Sequence, residues 1–224
     1  SVDMKAVKAR KDRISRVSRE GVENWLRNLE GCTVYQGHAR FSEPRTVQVD
    51  SKCLTAEKIF INVGGRPFVP TIPGLDDVGY LTSSSMMEVD FLPPHLIVLG
   101  GSYIGLEFAQ IFRRFGSDVS VVELAPRLLA REDEDVSVAV ADILQKEDID
   151  IHVNSKVTRV VRQGNDIAVE IDSGGSRSQV LGSHLLMAIG RRPNTDDLGL
   201  EAAGIAVDDR GFIEVDNGLR TNVE

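Results

Sequence analysis

Apolar residues recur at two periods along this chain, and the places where the period changes predict its elements. Across residues 3–29, Val7, Ile14, Val17, Val22, Trp25, Leu26 and Leu29 fall near one stripe at helical spacing, with charges elsewhere. The pattern predicts one long amphipathic helix, and Gly31 supplies its stop. Shorter runs with β character follow, CTVYQGHARF and RTVQVD, separated by the turn SEPR. Residues 59–63, IFINV, read as a buried strand that runs into a Gly/Pro-rich loop. LTSSSMMEVDFLPP then offers Ser and Thr caps for a short helix and ends on Pro93-Pro94. Consecutive prolines disfavour helix and stiffen the chain, so a domain boundary is expected there.

Beyond the prolines, strand and helix signals alternate. His95 to Leu99 is strand, Tyr103 to Phe115 is helix stopped by Gly116, and Asp118 to Glu123 is strand. A second helix is expected from about Asp135 to Lys146 with Asp133 or Asp135 as its cap, and a third strand from Ile149 to Val153. KVTRVVRQGNDIAVEIDSGGSRSQV changes period again: alternation with turns at Gly164-Asn165 and Gly174-Gly175 predicts an antiparallel meander. HLLMAIG is a wholly apolar strand. This is the order of an α/β nucleotide-binding half-unit in which a meander replaces one crossover helix. The closing GFIEVDNGLRTNVE reads as a strand and a turn.

Composition narrows the function classes. A chain of 224 residues, 42% hydrophobic and 27% charged, suits one large or two small soluble domains. A net charge of −8 argues against nucleic acid or an anionic membrane as partner. Basic residues do crowd the start, from Lys5 to Arg19 with only Asp12 against them. They read as a solvated helix face, with a docking patch for an acidic partner as the alternative. No apolar run reaches the ~20 residues of a membrane span, and the start has no signal-peptide core. It also lacks an initiator Met, which suits a processed or truncated piece. Cys32 and Cys53 form no CxxC or CxxxxC pair, and thinly spaced thiols fit a reducing, cytoplasmic setting. His38, His95, His152 and His184 are scattered, so no metal site is expected.

The sharpest chemistry lies in LIVLGGSYIGLEFAQIFRRFGSDVSVVE. Gly100, Ser102 and Gly105 hold the three glycine positions of a GxGxxG turn, after a strand and before a helix, with Gly101, Tyr103 and Ile104 between them. The first glycine permits the tight turn and the last lets helix pack on strand. The middle position faces the pyrophosphate, which helix N-terminal N–H groups and the helix dipole hold. Ser102 departs from the pattern: its Cβ narrows the approach while its hydroxyl offers a donor. Glu123, ending the second strand, is placed to accept hydrogen bonds from ribose hydroxyls. A 2′-phosphate there would face a carboxylate, at about 4 kcal/mol per unit-charge pair for ~4 Å and an effective dielectric of ~20. Only Arg127 stands close enough in sequence to offset this. NAD(H) is therefore expected over NADP(H).

Three stretches in register carry a wider likeness. INVGGRPFVPTIPG, LIVLGGSYIGLEFAQIFRRFGSDVSVVE and HLLMAIGRRPNTDDLGLEAAGI resemble the pyridine nucleotide–disulfide oxidoreductases. That flavoprotein family includes dihydrolipoamide dehydrogenase, glutathione reductase and mercuric reductase. The resemblance covers nearly the whole chain. It implies an α/β fold, a Rossmann-like nucleotide-binding domain with a parallel sheet plus an antiparallel β-meander, preceded by a partial FAD domain. Residues 1–92 would be the C-terminal part of a split FAD-binding domain, 93–208 the NAD(H)-binding domain, and 209–224 the start of the return. No N-terminal GxGxxG for FAD, CxxxxC redox pair, GD-containing FAD segment or C-terminal dimerisation domain is present in the sequence. The expectation is an internal fragment that binds NAD(H) without turnover. Its parent would be a homodimer passing hydride from NADH to FAD and on to a thiol, disulfide or other small-molecule acceptor.

Residue roles follow by position from the same resemblance. Gly100 to Gly105 would cradle the NAD pyrophosphate and Glu123 would bind the adenosine ribose. Val157 in SKVTRV would line the adenine site, and Gly190 in AIGRRPN would touch the cofactor through its backbone. Tyr103 matches the aromatic that covers the flavin until nicotinamide displaces it. Glu107 matches a carboxylate near the nicotinamide and a flavin-side lysine; on so apolar a helix its charge is expected to be buried with a partner. Ala39, Val63 and Gly64 match FAD-contacting backbone. The blander readings are that Tyr103 packs at a helix start and that Val157 is core. Two rival functions stand beside this one: a stand-alone NAD-binding or sensing module, and a partner-binding piece that uses the basic first helix.

Overall fold

The computed structural model describes residues 2–223. Its first half runs α1 (Met4–Asn28), β1 (Ala39–Glu43), β2 (Thr46–Val49), β3 (Lys52–Thr55), β4 (Gly65–Pro67), α2 (Leu75–Val78), β5 (Leu81–Thr82) and α3 (Ser83–Met86). There follow β6 (His95–Leu99), α4 (Tyr103–Phe115), β7 (Asp118–Val122), α5 (Glu134–Lys146) and β8 (Asp150–His152). The chain closes with β9 (Lys156–Gln163), β10 (Asp166–Ser173), β11 (Ser176–Gly182), β12 (His184–Met187), β13 (Arg191–Pro193) and α6 (Leu200–Ala203). These elements form two compact units. One joins the start of the chain, up to Arg13, with Pro67–Gly190; the other joins Ile14–Arg66 with the segment from Arg191 onward. Among the described residues no helix is long and apolar enough to cross a membrane.

The first unit is built on a five-stranded sheet in the order β5-β12-β6-β7-β8, parallel throughout. Strand β6 shows why its sequence is apolar at every position. Leu96 and Val98 pack with Leu106, Ala109 and Phe112 of α4 and Leu144 of α5. Ile97 and Leu99 turn the other way, onto Val160, Ile167, Val169 and Ile171 of the meander and onto Leu75 and Val78 of α2. Successive side chains point to opposite faces, and here both faces are covered, so alternation is lost. The meander is a separate antiparallel sheet, β11-β10-β9. Its turns fall at the expected glycines, with positive φ at Gly164, Gly174 and Gly175. Helix α4 stops at Gly116, which is left-handed and returns its N–H to Phe112 and Arg113.

Several expectations change here. Val78, Met86 and Val89 are core residues of this unit and β5 joins its sheet. The prolines at 93 and 94 therefore lie inside the first unit, and the contacts divide at Arg66 and Pro67 instead. Asp133 does occupy the N-cap of α5, but its side chain makes no capping bond; Ser137 in the first turn donates to the Leu128 carbonyl instead, at 2.6 Å. The third strand is shorter than Ile149 to Val153, because only Asp150–His152 pairs with β7.

In the second unit β1, β2 and β3 form an antiparallel meander with an irregularity between Phe41 and Glu43; β3 was not among the expected strands. Leu200 and Ala203 of α6 are buried, and the Phe41 N–H donates to Leu198. Strands β4 and β13 make a two-stranded ladder. Residues 59–63 are not a strand. They join no ladder among the described residues, and Phe60 is 90% exposed. The long helix is present almost as expected, yet its stripe is uncovered: Ile14, Val17, Val22, Trp25 and Leu29 are all exposed. The closing segment is not a strand either; it shows one bridge, Val207 to Ile213, and a turn held by Asp216.

Candidate nucleotide-binding site

Strands β6 and β12 are neighbours in the sheet although the chain between them passes through β7, β8 and the meander. The order thus reverses beside β6, and in open parallel sheets the crevice at the strands' carboxyl ends at such a point is where ligands bind. The Gly100 turn sits there. Gly100 has φ of +116°, donates its N–H to the Val122 carbonyl, and a Cβ on it would overlap the Ala188 carbonyl just past β12. A Cβ on Gly105 would overlap the carbonyl oxygen of Gly100. Both positions therefore admit glycine alone, for the reasons the sequence suggested: one turns the chain against its neighbour strand, the other seats the helix on the turn.

Helix α4 then begins at Tyr103, with Ser102 as an extended N-cap whose hydroxyl makes no capping bond. The first intrahelical bond runs from Leu106 to Ser102. Among the described residues, nothing accepts from the N–H groups of Ser102, Tyr103, Ile104 or Gly105. Four orphan donors at the positive end of a helix dipole form an anion site by their chemistry. Ser102 is exposed, so its hydroxyl stands free as a further donor.

Glu123 follows β7 and is half-buried. Its Oε2 accepts from the Gly101 N–H at 2.5 Å and its Oε1 from the Ala125 N–H at 2.7 Å. Each carboxylate oxygen carries two acceptor sites, so capacity remains for ribose hydroxyls. Backbone bonds from Glu123 to His152 and from Ser155 to Glu123 fix the residue between β7 and β8. Arg127, the one cation considered for a 2′-phosphate, has its guanidinium on the carbonyls of Ala130 and Glu132, the latter at 3.0 Å.

Comparison with known proteins names the family. The family model described as "Pyridine nucleotide-disulphide oxidoreductase" matches residues 2–224. The chain belongs to that family. It is 39% identical over 197 residues to a mercuric reductase of Streptomyces lividans, covering 86% of this chain and 41% of that protein. Against the probable pyridine nucleotide-disulfide oxidoreductase RclA of Escherichia coli (strain K12) it is 38% identical over 216 residues, 91% of this chain and 48% of the other. The solved HOCl-induced flavoprotein disulfide reductase RclA from Escherichia coli superposes with a TM-score of 0.87 at 36% identity, over 99% of this chain and 51% of that one. The chain thus spans about half or less of the relatives it matches.

The other residues matched to the oxidoreductase family fall in different settings. Tyr103 is 61% exposed at the first position of α4, so it is not packed away at a helix start. Glu107, one turn on, is exposed, which removes the argument from a buried charge. Its apolar neighbours Leu106 and Ala109 face the core while Glu107 does not. Val157 is half-buried against the meander-side core, two residues past the Ser155 that bonds Glu123. Gly190 is exposed, a Cβ on it would meet nothing, and its carbonyl accepts from the Phe68 N–H.

In the second unit the main chain of Val63 and Gly64 is held by Asn194, whose side chain donates to Val63 at 3.0 Å and whose N–H donates to Gly64 at 3.1 Å. Arg66 secures the same loop through Asn194 and a paired contact to Asp196, at 2.6 and 3.2 Å. Ala39 lies at the start of β1, paired with Val49. The sequence reading did not single out Arg66, Asn194 or Asp196, although INVGGR and GRRPNTD contain them. It also missed the Ala188 carbonyl and the loop after Glu123, which carry no residue type tied to nucleotide chemistry.

Proposed function

We propose that the turn after β6 carries the NAD(H) site of a flavin-dependent pyridine nucleotide–disulfide oxidoreductase, and that the whole protein moves hydride from NADH to FAD and then to a disulfide or other small acceptor. When bound, the nicotinamide and flavin supply the redox chemistry. What this chain supplies is grip and orientation. The observation that carries the reading is the turn at the sheet's reversal point, where two glycines occupy space no Cβ can enter and four N–H groups at the helix start have no acceptor among the described residues. The pyrophosphate of a dinucleotide matches those donors in charge and acceptor number.

Glu123 supports NAD(H) over NADP(H), because a 2′-phosphate would meet its carboxylate while Arg127 is already engaged by backbone carbonyls. Tyr103 and Glu107, both exposed on α4, are proposed to face the nicotinamide end, Val157 to line the adenine site and Gly190 to touch the cofactor through its backbone. Val63, Gly64 and Ala39 are proposed backbone contacts for FAD in the parent. The reading as a partner-binding piece through the basic helix is weaker, since Lys8 and Lys11 are tied to Asp12 and Glu88. Calorimetric titration with NADH and NADPH tests the proposal, with absorbance reading any bound flavin. NADH is expected to bind more tightly, and Glu123→Arg to narrow or reverse the preference. Failure of both nucleotides to bind, or an unchanged ratio in the variant, would overturn it.

A further inference from the structure

The loop that follows Glu123 reaches back to the turn. Leu129 donates its N–H to the Gly101 carbonyl at 2.9 Å, and Glu123 accepts the Gly101 N–H at 2.5 Å. Gly101 is buried between them; a Cβ there would meet Leu128 at 2.6 Å and Glu123 at 3.0 Å. The loop itself is anchored from below by Ser137, only 2% exposed, which donates to the Leu128 carbonyl at 2.6 Å. To make its bond Leu129 adopts φ of +48°. That left-handed conformation costs a residue with a Cβ about 1–2 kcal/mol, so the surroundings must hold it there.

A trans peptide is planar, with its C=O and N–H pointing in opposite directions. Fixing the Gly101 carbonyl on Leu129 therefore directs the Ser102 N–H, which lies in the same peptide, away from the loop. Ser102 N–H is the first of the four orphan donors. Gly101 gives no such guarantee by itself, because without a Cβ its ψ can rotate, turning the peptide over to present a carbonyl to an incoming anion. We propose that Leu129 is a positioning residue for the dinucleotide turn: its strained backbone N–H locks the Gly101–Ser102 peptide with the donor outward before ligand arrives. This rests on the NAD(H) reading of the turn.

Two substitutions separate the lock from ordinary packing. Leu129→Gly keeps the N–H and accepts positive φ at little cost, though it deletes the whole partly buried side chain. Leu129→Val keeps more apolar surface, but a β-branched residue resists that φ and should pull the N–H off Gly101. Affinity for ADP-ribose, which carries the diphosphate without the nicotinamide, is measured by calorimetry on the folded chain. The lock predicts about tenfold weaker binding for Leu129→Val and near-normal binding for Leu129→Gly, the effect of one lost hydrogen bond to the ligand. A packing role predicts the reverse ranking, and that ranking overturns the proposal. Ser137→Ala, which loosens the anchor without touching Leu129, should weaken ADP-ribose binding in the same direction and bring the Ser102 amide signal into conformational exchange by nuclear magnetic resonance. Equal affinity in Leu129→Val, Ser137→Ala and the unchanged chain also refutes the lock. If the unchanged chain binds neither ADP-ribose nor NADH, the nucleotide reading falls, and the lock falls with it.

Discussion

Residues 96–99 read LIVL and residues 59–63 read IFINV, two runs of similar strand propensity. The first is a strand with no residue more than 1% exposed, laddered by β7 and β12 and covered on both faces. The second joins no ladder among the described residues and leaves Phe60 90% exposed. The two units repeat this contrast at larger scale: the parallel-sheet unit has two continuous apolar layers, while the other exposes Ile14, Val17, Val22, Trp25 and Leu29 of the helical stripe. Hydrophobicity of a run states what it would gain by leaving water. Whether it does leave water depends on partners elsewhere in the chain.

The strongest way to break the contrast is to delete side chains from both kinds of run. Leu186→Ala, in a fully buried strand, should cost about 2–5 kcal/mol, and Phe60→Ala should stay within about 0.5 kcal/mol. Urea unfolding of each variant reads this directly; equal losses would mean that residues 59–63 are buried in solution. Glycines give the next largest difference. Gly105→Ala drives a methyl into a backbone oxygen that cannot easily retreat, at about 3 kcal/mol and with loss of NADH binding. Gly64 has φ of +67° but open space around it, so Gly64→Ala should cost only the conformational term, about 1 kcal/mol.

Smaller effects sharpen the picture of the covered unit. Ser117 is fully buried and its hydroxyl lacks a partner among the described residues. Ser117→Ala should be neutral or stabilising by about 1 kcal/mol, read from the thermal midpoint, and should leave ADP-ribose binding unchanged. Acid gives the smallest effect. Burial, with Arg162 nearby, holds His184 below its ordinary 6.5, so the native state binds this proton less readily than the unfolded chain. The stability that follows is complete above the ordinary value and is lost as pH falls through the lowered one. Asp196 in the second unit is held below its ordinary 3.8, chiefly by the hydrogen bonds from Arg66, and its contribution disappears only at more acid pH. Thermal midpoints of the parent chain and His184→Phe between pH 7 and 5 should separate, the variant showing the flatter profile.

Most of the first unit was legible because its signals are local. Continuous apolar runs marked the sheet, glycine pairs marked the meander turns, and the strand–glycine–helix order marked the Gly100 turn. The Glu123 carboxylate was legible by its distance along the chain from that turn. What was not legible depends on pairing. The carbonyl of Ala188 excludes a Cβ at Gly100 only because β12 lies beside β6, and no local pattern states that order. The exposure of Glu107 could not be read from its apolar surroundings, since a helix turns 100° per residue and one face can be core while the next is wet. Leu129 escaped for a different reason: its contribution is a backbone N–H in an unusual conformation, which the identity of the side chain does not announce.

The bare run at residues 59–63 has one further consequence. A run of Ile59, Phe60, Ile61 and Val63 that joins no ladder is a template for intermolecular stacking, the first step toward fibres. Lys58 flanks the run, and a flanking charge of this kind sets molecules apart by mutual repulsion. That repulsion fades as ions crowd the solution, so the colloidal lifetime of this protein should shorten as salt is raised.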